Sequence, residues 1–233
     1  MFDDIFPLGR QIGTSSPQTA SEAVRPLLPY ITGVDVNMGC PKKFSISGNM
    51  GAALLGDLEL SRGIIRSLFR LGKPVSAKVR LLEGENEGDI YGKTLRFIEG
   101  LVEEGLSLVT IHLRTVKDSQ HVSCKKRYGM VKRFVEDLSI PVVVNGDCWG
   151  KEGVEEVRRL GARGVMVGRG ALVSMAGFGE TGKTKDDVVR DYLRECLRWD
   201  NHFINTKYVV LEMINFRRLT EEGKNCLTDK DRR

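Results

Sequence analysis

The feature that most constrains this chain is an alternation. Short, β-branched apolar runs are followed, again and again, by stretches with helical apolar spacing. The runs are 10–13 (RQIG), 33–37 (GVDVN), 75–81 (VSAKVRL), 108–113 (LVTIHL), 140–145 (IPVVVN) and 164–168 (GVMVG). Helices are predicted over 19–28, within 50–71 with Asp57 as an N-cap, and over 92–105, 124–138 and 150–160. Gly105 and Gly161 stand where helices commonly stop. Regular strand–helix–strand order means parallel strands joined by right-handed crossovers. Runs this apolar predict a sheet buried on both faces.

Polar residues gather where the runs end: Asn37, Lys78, Arg80, His112, Arg114, Asn145, Asp147 and Arg169. A TIM-type barrel carries its chemistry there, on the loops after successive strands. An open doubly wound sheet shares that rule but collects ligand groups at one switch point. Here successive strand ends all contribute, so the expected fold class is α/β, a TIM-type (β/α)8 barrel with six parallel strands present. A complete barrel takes about 250 residues, and the repeat stops near 179. Residues 180–185 (ETGKTK) read as a linker and 186–219 as a helical region, with Val188, Tyr192, Leu193, Cys196 and Leu197 at helical spacing. The charged stretch 220–233 is expected to fray.

Composition narrows the function classes. The chain has 233 residues, 36 Lys and Arg against 31 Asp and Glu, and a net charge of +5, a mild lean toward a polyanionic partner. Its five cysteines are odd in number and lack a CxxC pair, which argues against a disulfide framework and a zinc site. A reducing, cytoplasmic compartment is expected. No apolar run approaches the ~18 residues of a membrane span, and the start shows no secretory pattern.

Two constellations carry candidate chemistry. The first is 34–55, VDVNMGCPKKFSISGNMGAALL. A strand ends at Asn37, Gly39-Cys40-Pro41 makes a tight loop, and Gly48 and Gly51 flank a second bend. A Cys on such a loop stands over a barrel mouth, although most free cysteines are simply small buried hydrophobes. The second pairs PVVVNGD (141–147) with GVMVGRGAL (164–172). Loops after the last two strands form the usual phosphate site of this barrel, and Gly146, Gly168 and Gly170 let backbone N–H groups approach an anion. Lys78 lies inside an apolar run, where an unpaired charge is costly and calls for an anion.

The segment 34–55 resembles the signature of the dihydrouridine synthases, in their eukaryotic type-2 branch, and the resemblance extends over about residues 9–215. It implies an oxidoreductase acting on a CH–CH bond: FMN-dependent reduction of a D-loop uridine at position 20 of tRNA, with NADPH as reductant. Cys40 would be the proton donor. Hydride addition at uracil C6 leaves negative charge over C5 and O4, and a thiol with the usual pKa near about 8.5 is mostly protonated at neutral pH and can donate. Cofactor-binding residues by this resemblance are Gln11 and Lys78 at the isoalloxazine, His112, and Asn145, Gly146, Asp147, Gly168 and Arg169 around the phosphate. Substrate-binding residues would be Asn37, Lys42 and Arg114 at the barrel mouth and Asn205, Lys207 and Tyr208 in the helical region.

Against the family pattern, the strand with Gln11 corresponds to the third strand of the barrel, so the first two strands are expected to be missing. Leu113 stands where the family commonly has Gly, and the type-2 double-stranded-RNA-binding extension is expected to be missing. Two alternatives stay open on the residues: an FMN barrel reductase of a small molecule, and an inactive fragment that only binds RNA.

Overall fold

A computed structural model describes residues 9–118, 122–173 and 183–215. Residues 1–8, half of the predicted linker (180–182) and the charged stretch 220–233 lie outside the described residues. Six strands form one parallel sheet in sequence order: β1 (Gly9–Ile12), β2 (Gly33–Met38), β3 (Val75–Arg80), β4 (Leu106–His112), β5 (Val142–Asn145) and β6 (Gly164–Met166). The sheet curves as a partial TIM barrel, and among the described residues β1 and β6 are its open edges. Six parallel strands with crossover helices agree with the alternation in the sequence.

Helices α1 (Pro17–Val24), α2 (Lys43–Ser47), α3 (Leu58–Phe69), α4 (Glu87–Val102), α5 (Tyr128–Asp137) and α6 (Lys151–Arg159) occupy the crossovers. Local chemistry sets their ends. The Ser16 hydroxyl accepts the Thr19 N–H at 3.1 Å and Pro17 opens α1. The helix predicted over 19–28 stops as α-helix at Val24 and continues to Tyr30 as a 3-10 helix, because Pro26 and Pro29 cannot donate N–H. Asp57 caps α3 through the Leu60 N–H at 2.9 Å, as the sequence predicts. α4 begins five residues earlier than its apolar pattern suggests, because Asn86 accepts the Asp89 N–H at 3.0 Å and Glu87 and Asp89 favour the first turn.

The outward side chains of the sheet make the core. Val34, Val36, Met38, Val75, Ala77, Val79, Val109 and Ile111 pack with Ile64, Ile65 and Leu68 of α3 and Phe97, Ile98 and Leu101 of α4, all but Phe97 at 2% exposure or less. Each side chain of that size contributes about 1.5–3 kcal/mol when buried. Arg62 and Arg66 of α3 close on Glu104 just beyond α4, at 2.8 and 2.6 Å.

The expectation of a sheet buried on both faces is overturned. Burial alternates along β2 and β3, with Asp35, Asn37, Ser76, Lys78 and Arg80 half-buried on the other face. That face is the inside of a barrel that does not close among the described residues, so water reaches it and polar groups are tolerated there.

The described residues fall into two compact units. One runs to Gly146 and takes in Val157–Met166, so it holds the whole sheet. The other comprises Asp147–Glu156 and the residues from Val167 onward, including α7 (Arg169–Val173), α8 (Lys185–Arg198) and α9 (Phe203–Asn215). Thr184 and Asp187 form a capping box at the start of α8.

Candidate active site

Parallel register stacks the inner face into rows. Gln11, Asp35 and Ser76 are aligned in the first, Asn37, Lys78 and Thr110 in the second, and Arg80, His112 and Asn145 in the third. The rows bring Asn37, Lys78, His112 and Asn145 onto one face at the C-terminal end of the sheet.

Cys40 follows directly from β2, and its thiol is half-buried and free. Its loop is fixed from several sides. The Asn37 side-chain oxygen accepts the N–H groups of Gly39 and Cys40, each at 3.1 Å. The Cys40 carbonyl accepts the Ala52 N–H at 3.0 Å. Gly51, at φ +60, presses its backbone so close that an added Cβ would lie 2.8 Å from the Cys40 oxygen and 3.0 Å from the Cys40 Cβ. This is why the second glycine bend of the motif is needed. Asn37 was expected to bind substrate; its carbonyl oxygen is occupied by the loop, which leaves its amide N–H groups for that purpose.

Lys78 lies beside Asn37 on β3 and has no hydrogen bond or ion pair among the described residues. Burial lowers its pKa, Arg80 lowers it further, and Asp35 and Cys40 pull the other way. Gln11 is exposed on β1 and donates to Asp35 at 2.6 Å, while Ser76 donates to the other Asp35 oxygen at 2.6 Å. Asp35 was not singled out from the sequence, although its spacing from Asn37 puts both on the inner face.

His112 stands half-buried at the end of β4, with an Arg114 guanidinium nitrogen 3.4 Å from its Nε2. Arg114 itself is 4% exposed and donates to the Val122 carbonyl at 2.7 Å, a buried loop anchor. Arg127, also buried, donates to Glu87, Asp118 and the Leu113 carbonyl. Leu113 itself is in the core at 1% exposure and does not face the site. The Asn145 amide donates to the Met166 carbonyl at 2.7 Å, tying β5 to β6. Gly146 has φ +135, and an added Cβ would meet the Cys124 sulfur at 2.5 Å. Lys42 is exposed at the start of α2, next to the Cys40 loop.

In the second unit, Asp147 is almost fully buried and pairs with Arg169 at 3.2 Å. The Arg169 guanidinium lies 5.0 Å from the centre of the Trp149 ring. An added Cβ on Gly168 would meet nothing within 4 Å, so its backbone is open to a ligand. Asn205, Lys207 and Tyr208 are exposed on α9. At ~100° per residue, Asn205 and Tyr208 share a face and Lys207 points away from Asn205.

These features define an α/β barrel-type protein with its functional groups at the C-terminal strand ends. The solved structure of dihydrodipicolinate synthase from Agrobacterium tumefaciens shares that fold, with a TM-score of 0.51 at 10% identity over 94% of this chain and 78% of that one. The family model described as dihydrouridine synthase matches residues 4–224. The chain belongs to the dihydrouridine synthase family. It is 29% identical over 228 residues to the tRNA-dihydrouridine(20) synthase [NAD(P)+] of Schizosaccharomyces pombe, covering 92% of this chain and 46% of that protein. It is 32% identical to the tRNA-dihydrouridine(20a/20b) synthase [NAD(P)+]-like protein of Mus musculus, covering 85% and 60%. The match to the tRNA-dihydrouridine(20) synthase [NAD(P)+] of Saccharomyces cerevisiae is 26% identical, covering 88% and 56%. The chain thus spans about half the length of these relatives.

Proposed function

We propose that this chain carries the catalytic face of a tRNA-dihydrouridine synthase that reduces uridine 20 in the D-loop, with FMN as cofactor and NADPH as reductant. One observation carries the reading: a half-buried thiol on a braced loop follows β2, and on β3 stands an ammonium with no hydrogen bond or ion pair among the described residues. An unpaired, partly buried cation fits an anion, and the reduced flavin ring is one. Gly168, where an added Cβ would meet nothing within 4 Å, leaves its backbone open to close approach by a phosphate. The relatives named for uridine 20 support the choice of substrate.

FMN, when bound, supplies to uracil C6 a hydride that originates in NADPH. Cys40 donates its proton to C5, which completes addition across the C5–C6 bond. Lys78 would hold the flavin ring, and Gln11, which donates to Asp35, would hydrogen-bond it. His112 would contact the cofactor. By the family resemblance Asn145 and Gly146 of the first unit, and Asp147, Gly168 and Arg169 of the second, would hold the phosphate, with Arg169 offering N–H groups that Asp147 leaves over. Asn37 orients the uracil through its amide, and Lys42 and Arg114 act at the mouth. On α9, Asn205, Lys207 and Tyr208 take tRNA backbone or bases, and the uridine is flipped out to reach the site.

The test is to purify the chain with FMN and incubate it with NADPH and unmodified tRNA. Flavin absorbance that stays with the protein, and dihydrouridine mapped to position 20, are the expected results. Faster reduction of free uracil or an enone than of tRNA would overturn the substrate assignment.

A further inference from the structure

Arg80 ends β3 on the inner face, in the row that continues through His112 and Asn145. It is half-buried and has no carboxylate partner among the described residues. Two of its guanidinium nitrogens are nevertheless directed onto backbone carbonyls. Nε donates to the Gly39 carbonyl at 2.9 Å, and a terminal nitrogen donates to the Thr115 carbonyl at 2.8 Å. Those two carbonyls belong to different loops, the one after β2 and the one after β4. The Arg80 stem also packs against Gly39, where an added Cβ would lie 3.4 Å from Cγ. The peptide it grips is the one whose next residue is Cys40. Asn37 holds the N–H groups of Gly39 and Cys40 from one side of that turn, and Arg80 holds the Gly39 carbonyl from the other.

A cation that directs two of its donors onto neutral carbonyls contributes geometry there more than charge. The planar fork of arginine has two donors at a fixed angle, and lysine cannot reproduce that pair. The loop after β4 is itself anchored, since Arg127 binds Asp118 and the Leu113 carbonyl, and Asp118 accepts the Thr115 N–H at 2.7 Å. Arg80 therefore ties the Cys40 loop to a rigid neighbour.

We propose that Arg80 is a positioning residue for Cys40: its guanidinium fork bridges the loops after β2 and β4 and fixes the direction of the thiol. Its catalytic consequence rests on the reading of Cys40 as proton donor; its structural consequence does not.

The experiment compares Arg80→Lys and Arg80→Met with the unsubstituted chain by two readouts. The first is amide hydrogen exchange at 38–40 and 115–118. The second is single-turnover reduction of tRNA by the FMN-loaded protein, with rate at saturation and apparent tRNA affinity measured separately. Both variants are expected to speed exchange in the two loops together, by about tenfold, the effect of losing one charge-assisted hydrogen bond. The saturating rate should fall about tenfold or more in both, with tRNA affinity changed less than threefold, because a thiol out of line reacts poorly while binding persists. Protection and rate restored by Lys would overturn the proposal, since charge alone would then suffice. Weakened tRNA affinity with loops as protected as before would also overturn it and make Arg80 a substrate ligand. If the loops loosen together but the unsubstituted chain reduces no tRNA, positioning stands and the dihydrouridine synthase reading falls. Should Arg80→Met fail to fold, Arg80→Lys, which keeps the charge and most of the volume, decides the matter.

Discussion

A residue built for an absent anion should cost stability when nothing is bound, and Lys78 allows that to be tested. Its ammonium is half-buried, its pKa is lowered chiefly by burial, and nothing among the described residues pairs with it. Replacing it with Met removes the charge and keeps an unbranched apolar stem in the row between Asn37 and Thr110. The flavin-free protein should become more stable by about 1 kcal/mol, the low end for a polar group desolvated without a partner, since the side chain keeps some solvent. The same change should weaken FMN roughly 10- to 150-fold, the value of a charge-assisted hydrogen bond. The pH dependence has a definite sign. Because the folded pKa lies below the usual 10.5, the penalty is complete while Lys78 is charged in both states and fades as pH rises toward 10.5. The advantage of Lys78→Met should therefore shrink between neutral pH and 10.5. Urea melts of the flavin-free proteins at several pH values, with FMN titrations followed by flavin fluorescence, give both numbers. A variant less stable than the parent that binds FMN as tightly would refute the reasoning.

Other outcomes follow from the same geometry. Gly51→Ala combines a left-handed φ with a Cβ pressed onto the Cys40 carbonyl, so it should cost about 1–3 kcal/mol in thermal or urea melts. Glu104, held down to about 2 by Arg66 and Arg62, adds stability above its usual 4.5 that disappears as pH falls toward 2. Glu104→Gln should thus lower the melting temperature at pH 7 and match the parent near pH 2. Lys42→Ala should weaken tRNA binding evenly across tRNA sequences and reduce the salt dependence of log Kd by about one phosphate contact, as measured by filter binding at several salt concentrations.

Much of this was legible in the residues. Alternating apolar runs fixed a parallel α/β sheet of six strands, because only parallel strands accommodate a helix in every connection. The Asn37–Cys40 loop was visible because Gly and Pro mark turns with few alternatives. Three things escaped. The polar inner face of β2 and β3 was masked by the apolar outer one, since Val34, Val36, Val75, Ala77 and Val79 dominate the composition of each run. Asp35 and Arg80 gained meaning only through register, which sets Asp35 between Gln11 and Ser76 and sends Arg80 across to two loops. The anchoring of Arg114 escaped as well, since its place past a strand end does not reveal that its guanidinium donates to the Val122 carbonyl. No local pattern states which way a long side chain turns.

The account stands or falls on the thiol at position 40, and the two half-reactions of the flavin-loaded protein separate its role most cleanly. In Cys40→Ala, stopped-flow reduction of the flavin by NADPH should proceed at the parent rate. Reoxidation of the reduced flavin by unmodified tRNA should slow by about 10²- to 10⁴-fold, the range for a lost general acid. Reoxidation by tRNA at the parent rate would contradict the account.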